Sequence, residues 1–230
     1  MEATAEEGEA EPGSREVEIC EGLPPLVLSQ RFVGSSGCQV WDAGITLLAY
    51  LTRLAEPLAA HPRVVEVGSG TGVVGLGAAA LGAAVVLTDL PGVLPLLRHN
   101  LARNEAALTA RGGSCDTAEL AWGEDVPEEL RGPAYVLAAD CVFEAEAARA
   151  LVATLEQLCS AETTILMANE IREHPNNAAG EAAFSAAAAR LFVMERVPSS
   201  ELHPDYACEE IAVVRLRRRG GREQAAAGGC

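Results

Sequence analysis

Apolar and polar positions along this chain fall into blocks that switch between a strand period and a helix period. Val64, Val65 and Val67 predict a short buried strand, followed at once by Gly68, Gly70 and Gly72. Residues 73–81 then read as a helix closed by Gly82, and 83–88 as a second strand ending in Asp89. The pattern continues with a helix over 93–104, a third strand over 117–121, a fourth over 134–139, a helix over 144–158 and a fifth strand over 163–168. An alanine-rich helix over 178–190 precedes a sixth strand at 191–196, and residues 198–206 link it to a seventh at 210–217. Strands alternating with helices predict an α/β fold, with a mostly parallel sheet covered on both faces.

Ahead of this alternation, residues 17–19 and 26–32 predict a hairpin around Gly22-Leu23-Pro24-Pro25, and 34–37 a flexible link. Asp42 is expected to cap a helix carrying Ile45, Leu48, Leu51 and Leu54 and ending near Pro57. Residues 1–15 are Glu-rich and low in apolar content, and the end of the chain from Arg218 is Gly- and Arg-rich. Both are expected to be disordered, which leaves one domain over 16–217.

Composition narrows the function. The chain has 230 residues, is 49% hydrophobic and carries a formal net charge of -16, with 33 acidic residues against 17 basic ones, all arginine. Such a surface repels phosphate backbones and anionic membranes, so no nucleic acid and no membrane is expected as a partner, and a basic protein surface suits it better. Seven scattered cysteines without a C-x-x-C pair read as reduced thiols, mostly small core fillers. Four widely spaced histidines give no ligand spacing, so no metal is expected. The acidic start MEATAEEGEAEPG is unlike a targeting peptide, and the longest apolar run, 73–87, is too short to cross a bilayer. A cytoplasmic and also nuclear location is the expectation, with the chain a monomer.

The candidate chemistry centres on the glycine turn. A strand, a tight turn and a helix N-terminus present free N–H groups to a nucleotide-like ligand. Gly70, Gly72 and Gly75 also satisfy the G-x-G-x-x-G of dinucleotide sites, and Asp89 at the end of the next strand could accept from ribose hydroxyls or cap the following helix. Glu66, two residues before Gly68, would repel a pyrophosphate but suits a cationic ligand. Trp41 precedes its helix rather than joining the apolar stripe, and on its own reads as core packing. Asp140 stands at the carboxyl end of the fourth strand, where doubly wound sheets place their sites, or else caps the next helix.

E-x-G-x-G-x-G at 66–72 resembles motif I of the seven-strand S-adenosylmethionine (AdoMet) methyltransferases, whose cofactor has an ammonium and a sulfonium and no phosphate. V-W-D-A at 40–43, L-A-W-G at 120–123 and A-D-C-V-F at 139–143 resemble the methyltransferase-like protein-lysine methyltransferases. The N/D-P-P-Y/F tetrad of amide and base-amine enzymes is absent.

The resemblance implies a Rossmann-like seven-stranded sheet, mostly parallel with an antiparallel last strand. It also implies AdoMet as cofactor, a pocket from Trp41, Glu66, Gly68, Ser69, Gly70, Asp89, Leu90, Trp122 and Ala139, and substrate handling by Asp140 and Glu170. The reaction implied is in-line transfer of a methyl group to a neutral lysine amine of a partner protein. Within the family, the spacing around V-W-D-A and P-x7-Y-x-x-E-x-I resembles the enzymes acting on valosin-containing protein, an AAA ATPase; sister enzymes act on chaperones and an elongation factor. Asn169-Glu170-Ile171-Arg172 departs from the Y-E-Q-R of that type by lacking the aromatic, which leaves the substrate open. A non-catalytic AdoMet-binding adaptor and a small-molecule methyltransferase are the other readings.

Overall fold

Residues 63–67, RVVEV, have one polar end and four buried positions because they lie at the centre of a sheet covered on both faces. The computed structural model describes residues 13–31 and 36–220. In it, β1 (Gly13–Val17) and β2 (Leu26–Gln30) form an antiparallel hairpin. The α1 helix (Asp42–Thr52) and the short α2 (Ala55–Ala59) lead into β3 (Arg63–Val67). Then come α3 (Val73–Ala80), β4 (Ala84–Asp89), α4 (Leu94–Arg103), α5 (Glu105–Thr109) and β5 (Ser114–Glu119). The chain continues through β6 (Tyr135–Ala139), α6 (Ala145–Leu158), β7 (Thr164–Glu170), α7 (Pro175–Leu191), β8 (Phe192–Arg196) and β9 (Ile211–Arg218).

The seven-stranded sheet has the order β5-β4-β3-β6-β7-β9-β8. Its first five strands are parallel, whereas β9 runs antiparallel to both β7 and β8. From β3 the chain winds outward to β5 and then returns to β6 on the other flank of β3. That reversal opens a crevice at the carboxyl ends of β3 and β6.

Alternation along β3 assigns its faces. Val65 and Val67 join the core under α6 and α7, with Leu151, Leu155 and Phe184. Val64 joins the core under α1 and α3, with Leu47, Leu51 and Leu76. Glu66 shares that second face, so a carboxyl group sits directly beneath α3.

The hairpin is held by side chains that imitate a β-ladder. Asn100 on α4 accepts from Ser29 N–H at 2.8 Å and donates to Ser29 C=O at 3.1 Å. Asn104, one turn on, does the same for Val27 at 2.8 and 3.0 Å. Asn100 also donates to Thr71 C=O at 3.0 Å, which ties the hairpin to the glycine turn.

Several boundaries differ from the sequence reading. The first hairpin strand is Gly13–Val17 rather than 17–19, so residues 13–15, expected to be disordered, are ordered; β2 ends at Gln30, and 32–35 lie outside the described residues. Ser36–Cys38 form a 3-10 turn where a flexible link was expected. Trp41, not Asp42, is the N-cap of α1; Asp42 is instead exposed and pairs with Arg15 at 3.6 Å. The third strand spans Ser114–Glu119 instead of 117–121, because as a sheet edge it carries few buried apolar positions. Arg218, expected in a disordered tail, closes β9, while residues 221–230 lie outside the described ones. Of the six described cysteines, all free thiols, only Cys38, Cys141 and Cys159 are buried fillers.

Candidate active site

The turn after β3 is built by stitching it to β4. Ser69 N–H donates to Thr88 C=O at 3.0 Å, and the Ser69 hydroxyl accepts from Thr88 N–H at 3.0 Å. Thr88 Oγ1 donates to Glu66 C=O at 2.7 Å. Gly70 has φ 56° and lies so near Gly37 that a Cβ would stand 2.5 Å from the Gly37 carbonyl oxygen, so both backbone conformation and space demand glycine. Its N–H donates to Asp89 Oδ2 at 2.7 Å, and Asp89 Oδ1 accepts from Leu90 N–H at 2.7 Å. Asp89 therefore caps no helix. It braces the turn, and a carboxylate's further lone pairs can still accept from ligand hydroxyls.

Glu66 lies behind the turn, 2% exposed, and accepts from Gly75 N–H in the first turn of α3 at 3.0 Å. A side chain at 75 would meet this carboxylate at 2.6 Å and Leu87 at 2.2 Å; glycine there lets α3 pack against the sheet. Burial pushes the Glu66 carboxyl up to about 8, the Gly75 and Ser69 hydrogen bonds opposing it only in part. Burial likewise raises Asp89, against the pull of the Gly70 and Leu90 N–H groups.

These groups line a cleft of about 660 Å³ together with Trp41, Ser69, Leu90, Trp122 and Ala139. The Trp122 indole covers the turn, since a Cβ on Gly68 would meet its ring at 2.7 Å, and it stands 6.3 Å from the Phe143 ring. Trp41, Leu90 and Phe143 are exposed at the rim. Trp41 thus belongs to the cleft wall rather than the core. Every residue assigned to the cofactor pocket from the sequence lines this one cleft.

The far end of the cleft is polar. Asp140 has φ 55°, a backbone conformation that non-glycine residues seldom adopt, and its side chain is 7% exposed. Its N–H donates to Ala168 C=O at 2.8 Å and its Oδ1 accepts from Glu170 N–H at 3.1 Å. The N-cap of α6 is Glu144, so Asp140 is not a helix cap. Burial raises the Asp140 carboxyl, while the Glu170 N–H and the Arg172 charge pull it down. Asn169 uses its amide twice on the Val142 backbone, donating at 3.0 Å and accepting at 3.4 Å, and so pins the loop that follows Asp140.

Arg172 was assigned no role from the sequence. It pairs with Asp140 and Glu170, each at 2.7 Å, and its guanidinium carbon lies 5.1 Å from the centre of the Trp41 ring. The readable signal was Glu170-x-Arg172, since residues two apart leaving a strand share a side. Among the described residues no cluster of His, Cys, Asp and Glu could hold a metal ion, and no helix is long and apolar enough to cross a membrane.

The fold defines a class. Solved structures similar to it include the PH0226 protein of Pyrococcus horikoshii, with TM-score 0.56 and 11% identity, covering 74% of this chain and 88% of that one. The glycopeptide N-methyltransferase MtfA complexed with S-adenosyl-L-methionine aligns with TM-score 0.53 and 14% identity over 74% of this chain and 87% of that one. The sheet order and these likenesses place the chain in the Rossmann-like methyltransferase fold.

Its family follows from the sequence profile of the lysine methyltransferases, which matches residues 23–185; the chain belongs to that family. Protein N-lysine methyltransferase METTL21A of Danio rerio is 38% identical over 134 residues, 58% of this chain and 60% of that protein. EEF1A lysine methyltransferase 3 of Xenopus tropicalis is 31% identical over 150 residues, 64% and 65% of the two chains. The aligned region spans about three fifths of these relatives' length.

Proposed function

We propose that the chain is an AdoMet-dependent protein-lysine N-methyltransferase. The observation that carries this reading is a single cleft with a glycine turn at one end and the Asp140 carboxylate at the other; Glu170, assigned a share of substrate handling from the sequence, does not line the cleft and is joined to it through Arg172. The family membership supports it.

The residues fit the cofactor. The turn end of the cleft presents the carboxyl groups of Glu66 and Asp89 and no arginine, so it suits a ligand without phosphates better than a dinucleotide, and a bound cation would favour ionised carboxylates there. Asp89 and Leu90 would hold the ribose and adenine side, Trp41 and Trp122 would wall it, and Gly68 to Gly70 with Ala139 would leave space for the amino-acid part. AdoMet, when bound, supplies a methyl group on positively charged sulfur.

The chain's own contribution is orientation and control of a proton. A lysine amine has a reference pKa near 10.4, so at pH 7.4 freeing it of its proton costs about 4 kcal/mol. Asp140, aimed by its left-handed backbone and the Glu170 N–H, receives the incoming side chain. Glu170 flanks it, and Trp41 and Phe143 shield the approach from water.

The substrate in this reading is a lysine-bearing protein with a basic surface facing this acidic chain. Valosin-containing protein is the first candidate, on the spacing around Trp41 and Tyr206; a chaperone is the second, and an elongation factor, which the name of the Xenopus relative indicates, the third. We place the enzyme, as a monomer, in the cytoplasm and nucleus.

Asp140→Asn, which tolerates the left-handed backbone, and Asp140→Ala test the assignment. Methyl transfer should fall on the order of 100-fold or more while AdoMet affinity stays within a few fold. Loss of AdoMet binding in isothermal titration would make Asp140 a cofactor ligand and contradict it.

A further inference from the structure

Arg172 lies two residues beyond Glu170 and turns its guanidinium back onto the sheet. Nη2 donates to Asp140 Oδ2 and to Glu170 Oε2, both at 2.7 Å, and Nε donates to Glu170 Oε2 at 2.9 Å. One cation is thus shared between Asp140, which lines the cleft, and Glu170, which does not, 5.1 Å from the Trp41 ring centre at the cleft mouth. Among the described residues lining the cleft it is the one arginine, and no lysine exists in the chain.

The charge balance there decides the protonation of an incoming amine. Without the guanidinium between them, the Asp140 carboxylate in the cleft and the Glu170 carboxylate beyond it would both act on the ammonium and stabilise the charged, unreactive form. The other titratable groups nearby do not correct this. Glu66, Asp89 and Cys141 lie under the turn and add no positive charge. His174 lines the outer wall, and Glu210, whose carbonyl accepts from Ile171 N–H at 2.7 Å, is acidic. A guanidinium, by contrast, stays charged at every pH at which an enzyme works.

We propose that Arg172 is a positioning residue that keeps the target lysine reactive: it clamps Asp140 and Glu170 and leaves the trio a single net negative charge, enough to orient the amine without fixing its proton. This rests on the lysine methyltransferase reading. In the step concerned, the lysine ammonium releases a proton to solvent. The free amine forms an N–C bond as the S–C bond of the methyl donor breaks, giving a methylammonium and a neutral thioether.

The test is the pH profile of Arg172→Gln, using as substrate the protein that the wild-type chain labels in a cytosolic lysate. The rising limb of kcat against pH should move upward by about one unit, so that transfer at pH 7.5 drops about tenfold and is regained when the pH is raised by about one unit. KM should fall or hold. Arg172→Lys should keep the wild-type limb, and Glu170→Gln with Arg172→Gln, which restores the local charge, should return it to within about half a unit.

A second readout needs neither cofactor nor turnover. N-acetyl-L-lysine amide, titrated at pH 7 against the Trp41 indole signal by NMR, should bind severalfold more tightly to Arg172→Gln than to wild type. A kcat reduced by one factor at every pH, a KM that rises while kcat holds, or weaker binding of N-acetyl-L-lysine amide would overturn the proposal. Circular dichroism checks each fold. Should Arg172→Gln be unfolded, the double variant decides, and a limb displaced there by more than a unit overturns the proposal. A wild-type chain that labels no protein sinks the methyltransferase reading itself; a labelled protein with an unmoved limb sinks only the role of Arg172.

Discussion

Glu66 carries a carboxyl group into the sheet interior, and that burial has a thermodynamic signature. Its folded-state value, about 8, lies above the unfolded value of 4.5. A raised acid favours folding fully below its unfolded value, and the advantage is lost as pH rises through the folded one. The chain should therefore lose on the order of a few kcal/mol between about pH 4.5 and 8 through this residue alone. Glu66→Gln, which keeps an acceptor for Gly75 N–H, should melt at least about 3 °C higher than wild type at pH 8.5 and the same as wild type at pH 4.5. Equal melting temperatures at both pH values would show that Glu66 is solvated.

At this scale the sequence identified residues better than their partners. Glu66, Asp89 and Asp140 stood out because each acid interrupts or ends an otherwise apolar strand, whereas Trp41 stood out only through the resemblance of V-W-D-A to the methyltransferase-like family. Gly70 N–H on Asp89 and Gly75 N–H on Glu66 were not, since the first joins positions brought together by the pairing of β3 with β4 and the second by the packing of α3 on the sheet.

Among the elements, the hairpin depends on α4. Asn100 satisfies both backbone groups of Ser29 and the carbonyl of Thr71, so it fastens the hairpin and the glycine turn at once. Asn100→Ala leaves these buried groups unpaired and should destabilise the chain by about 1–3 kcal/mol in urea denaturation. Amide exchange should speed up in β2 and at the turn while β6 and β7 stay protected. Uniform acceleration, or none, would contradict a local fastening.

Hydrophobic period located the strands of the sheet because parallel strands are covered on both faces. It also located the edge strand β8 to within a residue, but misplaced β5 and β1. The β5 strand mixes exposed and half-buried positions, so the apolar Leu120 just beyond it drew the predicted strand towards the loop. In β1, at Gly13–Val17, only Val17 is buried, and the strand exists because β2 pairs with it. The polar stripe of Asn100 and Asn104 that positions this hairpin has no hydrophobic signature.

For the whole molecule, the formal charge of -16 bears on the proposed partner. A basic protein surface would be steered towards such a chain, and salt would screen that attraction over about 8 Å at physiological ionic strength. KM for the protein substrate should rise between 50 and 300 mM NaCl while AdoMet affinity changes little; a KM indifferent to salt would remove the acidic surface from recognition.

Whether this chain transfers a methyl group to a lysine of a partner protein decides its function. It is tested most directly by adding the purified chain and labelled AdoMet to a cytosolic lysate and separating the products by size. A protein-lysine methyltransferase gives a discrete labelled protein band that carries methyl-lysine and is absent with Gly70→Arg, whose side chain cannot fit beside Gly37. Label confined to small molecules, or no label from a chain that binds AdoMet, would contradict that reading.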